Sequence, residues 1–281
     1  MYKIARKKEI GNKVHNLEIY APEIAKNAKA GQFVIFRIDD KGERVPLTVA
    51  GTNPQEGLVR IIFQEVGKST TQLASLCEGD SIRDFVGPLG HPTVIKNYGT
   101  VVAVAGGVGA AELLPVIKEL KKAGNKVITI VGARCKGLLI LEEELKQESD
   151  SLLFATNDGT CGIKGFVTDV LKEVINTQKL NIVYAIGPVP MMKEVSELTK
   201  EKHIETVVSL NPIMLDGTGM CGACRVTVDG KTKFACVDGP EFDAHCVHWD
   251  ELSSRLDLFK DLEKVSLDNF TASRECKCHK R

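Results

Sequence analysis

Residues Asp216 to Pro240 restrict what this chain can fold into more than any other stretch. The run Asp216-Gly-Thr-Gly-Met-Cys221-Gly-Ala-Cys224 is followed, after eleven intervening residues, by Cys236, so three of the nine cysteines share one glycine-rich segment. Glycines allow the backbone to close tightly around a bulky group. The spacing D-x4-C-x2-C-x11-C is that of a 2Fe–2S ligand set with aspartate in the first place. Thiolates are soft, charged donors that suit iron–sulfur iron, and a carboxylate carries the same charge on a harder atom. A structural zinc site is the competing metal reading, but it asks for two C-x-x-C pairs or matching histidines, and only one such pair is present here. Three unliganded thiols around a turn are the third reading.

Composition narrows the setting. With 281 residues the chain has room for two or three domains. Lys plus Arg and Asp plus Glu both count 37, so no basic surplus points to nucleic acid or an anionic membrane surface. Hydrophobic residues at 43% and charged residues at 26% are ordinary for a soluble globular protein. The opening MYKIARKKEIG is basic without the apolar core of a signal peptide, and no run of about 18 apolar residues follows. Unevenly spaced cysteines point to a reducing compartment, so a cytoplasmic location is expected.

The first ninety-odd residues read as β structure. Val14 to Ile19, Gln32 to Ile38, Val45 to Ala50, Leu58 to Phe63 and Asp80 to Phe85 are short β-branched or aromatic runs separated by Gly, Pro, Asn and Asp. That pattern predicts an antiparallel barrel. Two features in it carry chemistry. Arg44-Val-Pro46-Leu47-Thr48 sets a cation beside a proline-stiffened strand, and Gly67-Lys68-Ser69-Thr70-Thr71 sets hydroxyls at the start of a helix predicted over Thr70 to Leu76. Alone, the first is a solvated arginine and the second a helix cap.

The rhythm then changes. Thr100 to Ala105, Lys126 to Val131, Leu152 to Ala155, Ile182 to Ile186 and Thr206 to Leu210 are apolar strand-like runs. Helical periods lie between them over Ala110 to Lys122 and around Phe166 to Ile175. This alternation predicts a doubly wound parallel sheet whose ligands sit at strand C-terminal ends. Gly106, Gly107 and Gly109 follow the first of these strands, where they admit a phosphate or nicotinamide, or serve only a tight turn.

In order, R-x-P-L-T and G-K-S-T-T resemble the FAD-binding barrel of the ferredoxin–NADP reductase superfamily. The resemblance implies that Arg44, Gly67, Lys68, Ser69 and Thr70 grip the FAD phosphates and that Pro46, Leu47 and Thr48 lie along the flavin ring. Gly106-Gly107-Val-Gly109 resembles that family's nicotinamide turn, with Glu112 where proline is usual. Gly187-Pro188-Val-Pro-Met191 resembles its C-G-P-x-x-M motif, with Ile186 in place of cysteine. Arg134 is then placed to meet the adenosine ribose and Asp158 to line the nucleotide cleft. A second phosphate partner is missing around Arg134, so NAD(H) is expected over NADP(H).

Barrel, nucleotide domain and C-terminal cluster loop, in that order, resemble the electron-transfer subunit of class 1B dihydroorotate dehydrogenase along nearly the whole chain. Asp216 in the first ligand place and the long continuation past Cys236 look more like the small subunit of NADH-dependent reduced ferredoxin:NADP+ oxidoreductase, an electron-bifurcating heterodimer. A sulfide dehydrogenase subunit is a close variant. The resemblance implies FAD, NAD(H) and a 2Fe–2S cluster held by Asp216, Cys221, Cys224 and Cys236. It also implies a larger partner subunit with flavin and 4Fe–4S clusters, and no role for nucleic acid or membrane. The expected division is 1–95 FAD-binding barrel, 96–210 NAD(H)-binding α/β domain, 211–250 cluster domain and 251–281 C-terminal helix and tail. Rivals from another class are an iron–sulfur redox sensor and a zinc-stabilised interaction module.

The tail says less. A helix is expected over Asp250 to Leu262 with Leu252, Leu256, Phe259 and Leu262 on one face, and Cys246, near the cluster in sequence, reads as a spare thiol or as a group backing the cluster's ligands. The ending Cys276-Lys-Cys278-His279 reads as frayed, with metal binding as the alternative. Cys77, Cys135 and Cys161 read as small buried or half-buried residues.

Overall fold

The computed structural model describes residues 1–278, with side chains through Ala272. The first unit runs β1 (Tyr2–Gly11), β2 (Val14–Tyr20), α1 (Pro22–Asn27), β3 (Phe33–Arg37), β4 (Val45–Asn53), β5 (Leu58–Gln64), α2 (Lys68–Ala74), β6 (Ser81–Ile82) and β7 (Asp84–Leu89). The order across the sheet is β6-β1-β2-β5-β4-β3-β7, with antiparallel pairs throughout. Only Arg83 separates β6 from β7, the two edges, so the sheet curls into a nearly closed barrel. Alternation along the strands fills it: Leu17, Ile19, Val34, Phe36, Ile61 and Phe63 face inward. On the other face of β3, Phe33 and Ile35 join a separate apolar cluster with Met214, Cys224 and Cys236. That strand therefore serves two cores.

The second unit alternates: β8 (Thr100–Gly106), α3 (Gly109–Lys122), β9 (Lys126–Ala133), α4 (Glu142–Glu148), β10 (Ser151–Thr156), β11 (Ile163–Lys164), α5 (Val167–Thr177), β12 (Ile182–Ile186), α6 (Val189–Glu201) and β13 (Glu205–Ser209). Its strands pair in parallel in the order β11-β10-β9-β8-β12-β13. The central strands are buried on both faces, as their unbroken Val, Ile and Ala runs require.

Beyond it come β14 (Arg225–Val228), β15 (Lys231–Phe234), the one-turn α7 (Ala235–Asp238), β16 (Glu241–Asp243), α8 (Trp249–Asp257) and α9 (Lys260–Cys278). Strand β16 pairs antiparallel with β13 and so becomes the outer strand of the nucleotide sheet. The barrel and doubly wound sheet expected from the sequence are both present. Three expectations differ. Strand β1 was not foreseen, because Lys3, Arg6, Lys7 and Lys8 break its apolar pattern; short β6 leaves most of that side of β1 open, where charge is tolerated. The tail helix is broken at Leu258 and Phe259, so the stripe divides: Leu252 is buried while Phe259 and Leu262 are 48% and 66% exposed. Cys77 is exposed, its N–H bonded to Asp80 in the turn after α2. The side chains of Cys276 and Cys278, and His279 altogether, lie outside the described residues. Among the described residues no helix is long and apolar enough to cross a membrane.

Candidate functional site

The carboxyl ends of β8, β9 and β12 meet the barrel around a cavity of about 330 Å³. Gly106, Gly107, Arg134, Asn157, Pro188 and Met191 line it from the sheet side, and Val14 and Gln64 from the barrel. Gly107 has φ +57° with open space beside its Cα, so the backbone there presents itself bare to the cavity. Gly109 is a glycine for the opposite reason: a Cβ would stand 2.4 Å from the Ile186 carbonyl oxygen, so α3 starts hard against the end of β12. Gly187 and Met191 press on Gly106 from the following turn. Five of the sequence-predicted nucleotide residues therefore converge: Gly106, Gly107, Arg134, Pro188 and Met191. Asp158 does not line the cavity. It accepts hydrogen bonds from the Thr160 hydroxyl and N–H, which hold its carboxyl below the usual range.

On the barrel, Arg44 is exposed, and among the described residues it forms no ion pair. Pro46, Leu47 and Thr48 are half-buried along β4. At the start of α2, Thr70 closes the turn on itself by accepting from the N–H groups of Val66 and Gly67. Ser69 donates instead to the Glu43 carboxylate, which also lies 3.9 Å from Lys68 Nζ. An anion thus already occupies this hydroxyl and ammonium, and the donors suit a phosphate. Glu43 was not foreseen; its only signal is its place next to Arg44.

A larger cavity, about 890 Å³, opens on the far side of the same seam between Val49, Ala50, Arg60, Leu114, Lys118 and Glu144. None of the sequence-predicted residues lines it. Arg60 on β5 bridges it to Glu144 on α4 through two bonds of 2.6 and 2.9 Å.

The cysteine loop packs against the barrel, since a Cβ on Gly217 would lie 2.8 Å from Ile35 Cδ1. Cys224 and Cys236 are buried with their sulfurs 3.2 Å apart, while Cys221 is exposed at the loop tip. Burial, then the neighbouring Cys224, pushes the Cys236 thiol up to about 12. Two adjacent buried sulfurs suit a cation, which offsets the cost of ionising them. Asp216 accepts from the Thr218 N–H at 2.8 Å and the Cys221 N–H at 2.7 Å, and these bonds, Thr218 foremost, hold its carboxyl below the usual range. It sits in the loop as a charged acceptor next to Cys221 and not as a distant side chain. Cys246 lies apart, its sulfur 3.5 Å from Asp243 Oδ2.

Comparison with known proteins agrees with this layout. Residues 211–248 match the iron–sulfur cluster binding domain of dihydroorotate dehydrogenase B. The chain is 51% identical to a Thermotoga maritima homolog of the dihydroorotate dehydrogenase B electron-transfer subunit, over 95% of this chain and 94% of that protein. It is 34% identical to the Desulforamulus reducens subunit itself, over 83% and 92%. A chain of the NADH-dependent reduced ferredoxin–NADP oxidoreductase, solved for flavin-based electron bifurcation, superposes with TM-score 0.92 at 48% identity, covering 96% of this chain and 98% of that one. Phthalate dioxygenase reductase, at 17% identity and TM-score 0.57, shares the fold. The chain belongs to the family of dihydroorotate dehydrogenase B electron-transfer subunits.

Proposed function

We propose that this chain is the FAD- and 2Fe–2S-bearing subunit of a cytoplasmic NAD(H)-linked oxidoreductase. Its partner is a larger subunit with flavin and 4Fe–4S clusters, in a heterodimer of the NADH-dependent ferredoxin–NADP type. The support is the convergence in one molecule of a bare-backbone cleft, an anion-ready barrel edge and a buried thiol pair, on a fold that matches the bifurcating reductase end to end. NADH gives electrons in pairs, an iron–sulfur cluster takes them singly, and a flavin between them handles both.

The chain's own residues supply binding and exclusion. Arg44, Lys68 and Ser69 would hold the phosphate oxygens, Ser69 and Lys68 being the groups that meet the Glu43 carboxylate here. Pro46 and Thr48 would give the flavin ring a half-buried wall, and the open space beside Gly107 would admit the nicotinamide. Val14, Met191 and Pro188 would supply the apolar part of the lining beside the reacting faces. Asp216, Cys221, Cys224 and Cys236 are the residues that would ligate the cluster, which would take electrons one at a time. A dihydroorotate dehydrogenase partner is the second reading, favoured by the family of the 211–248 segment.

An absorption spectrum tests the first reading directly: flavin bands and a 2Fe–2S envelope that bleach with NADH. Colourless, zinc-bearing protein would sink it, and cluster without flavin would make the chain a sensor. The large subunit that copurifies decides between the two enzymes. For the fourth ligand, Asp216→Ala yields a labile cluster, whereas Asp216→Cys keeps it at a lower potential, read by redox titration with EPR. Unchanged cluster content and midpoint in Asp216→Ala place the fourth ligand elsewhere.

A further inference from the structure

Two arginines hold the cysteine loop, and neither is used in the proposed function. Arg255, in the last turn of α8, donates from Nη2 to the Ala223 carbonyl at 2.9 Å. Arg225, the first residue of β14, donates from Nη1 to the Gly222 carbonyl at 3.3 Å. Gly222 and Ala223 are the two residues between Cys221 and Cys224. Both guanidinium groups therefore grip the short span that separates two of the proposed ligands. Among the described residues neither arginine has a carboxylate partner, so no local acid cancels their charges.

Of the two, Arg255 is the better placed. It is half-buried, whereas Arg225 is exposed. Three contacts fix the helix that carries it. Trp249 and Leu252 are buried in the apolar core that also takes in Cys224 and Cys236, and Leu256 packs against that core. Ahead of the helix, the His248 N–H donates to the Thr227 carbonyl on β14 at 2.9 Å. Near its start, Asp250 pairs with Lys193 on α6 at 2.8 Å. The hydrogen bond from Arg255 to Ala223 spans 32 positions of chain. It also comes from outside the cluster-binding match, since residues 211–248 stop just short of α8.

An electron arriving at an iron–sulfur cluster adds one negative charge and makes or breaks no bond. A fixed positive charge nearby favours the more negative form and so raises the potential. The peptide joining Ala223 to Cys224 is planar, so holding its oxygen also fixes the direction from which Cys224 departs. A guanidinium suits both tasks, because its donors lie in one rigid plane and it stays charged. We propose that Arg255 is a positioning residue for the 2Fe–2S cluster. It holds the Cys221–Cys224 span in ligating shape, and its charge raises the potential at which the cluster takes an electron. Arg225 adds a smaller share from the exposed side. The electron is the one that NADH supplies through the flavin, so no further reductant enters. The inference rests on the cluster reading and concerns how the ligands are held, not which residues they are.

The test uses the full chain with its cluster, read by redox titration with EPR. Arg255→Met removes the charge and the donors while keeping an unbranched side chain. Its midpoint falls, so that reduction at a fixed potential is at least ~10-fold less favourable, which is ~59 mV for one electron. Arg255→Lys keeps the charge and recovers most of that shift, whereas Arg225→Met shows a smaller fall. The iron-free protein gives a second readout. With the Ala223 carbonyl released, the span opens more often. Iodoacetamide then modifies buried Cys224 at least ~10-fold faster in Arg255→Met, the lower side for a lost hydrogen bond to a charged group. Arg255→Lys, which lacks the rigid fork, stays fast in this assay although its midpoint recovers. A wild-type midpoint in loaded Arg255→Met, or wild-type Cys224 alkylation in its iron-free form, overturns the inference and leaves the cluster assignment standing. An equal fall in Arg255→Lys overturns the role of charge. Wild-type protein that takes up no iron and sulfide removes the cluster reading itself, and metal analysis reveals that before any titration. Should Arg255→Met hold no cluster, alkylation of its iron-free form decides. Should it not fold, the Arg225→Met midpoint and the Arg255→Lys alkylation rate take its place, and wild-type values of both overturn the inference.

Discussion

Two seams join the parts of this molecule, and they are built on opposite plans. Between barrel and sheet, glycine-rich turns and α3 face β4 across cavities of about 330 and 890 Å³, clamped on one side by Arg60 and Glu144. Between the cluster segment and the sheet there is continuous structure. Strand β16 extends the sheet, the Leu210 N–H donates to the Pro240 carbonyl, and Cys224, Phe242, Trp249 and Leu252 share one apolar core with Val183 and Val208. The first seam has room for groups that bind and leave. The second fixes a distance, as electron transfer to a resident cluster requires.

The largest effect is expected from breaking the fixed seam. Phe242 pairs with Val208 and packs so closely under Gly239 that a Cβ there would lie 2.4 Å from its ring. Phe242→Ala should cost about 3–5 kcal/mol. Denaturant unfolding of the whole chain reads it, and cluster content should fall in parallel. A loss below about 1 kcal/mol would mean the cluster segment is docked only loosely. The open seam should respond differently. Arg44→Ala should leave folding almost unaffected, since the side chain is exposed. It should weaken FAD retention by ~1.5–3 kcal/mol, roughly 10- to 150-fold. Flavin per protein after desalting measures this, and unchanged content removes Arg44 from the site.

How much of this contrast was legible in the sequence follows from how local each feature is. The strands of the nucleotide sheet are unbroken apolar runs, and Ile182–Ile186 is bounded as its residues suggest. The glycine turn and the cysteine spacing are also local, so they were visible. Strand β16 was not, because its residues acquire meaning only by pairing with Val207 to Ser209, some thirty residues earlier. Charge hid β1 in the same way. Glu112 stood out only as a misfit to a motif; that it is half-buried depends on how two domains face each other. Glu43 at Ser69 is likewise a contact between a loop and the first turn of α2, 26 positions apart in the chain.

Each seam also holds a half-buried glutamate whose carboxyl is raised by burial, and this pair gives the finest test of the comparison. Glu241 lies on β16, the strand that extends the sheet in the fixed seam, and accepts at 2.6 Å from Thr93, which lines the larger cavity; Glu112 lies on α3 in the open seam. Burial raises Glu241 from its ordinary 4.5 to about 7 and Glu112 from 4.5 to about 6. In both, the folded state holds a proton that the unfolded chain has released, so stability is greatest below 4.5 and declines as pH rises to the folded value. At ~1.4 kcal/mol per tenfold, and discounted because both side chains keep some contact with solvent, each contributes about 1–2 kcal/mol, Glu241 the more. Glu241→Gln and Glu112→Gln should each flatten part of the stability–pH curve of the cofactor-free protein. Loading with FAD should then separate them. It closes the open seam around Glu112 and changes that glutamate's share of the slope, whereas the Glu241 share stays as it was. If FAD alters the Glu241 share equally, the two seams move as one body and the contrast between them fails.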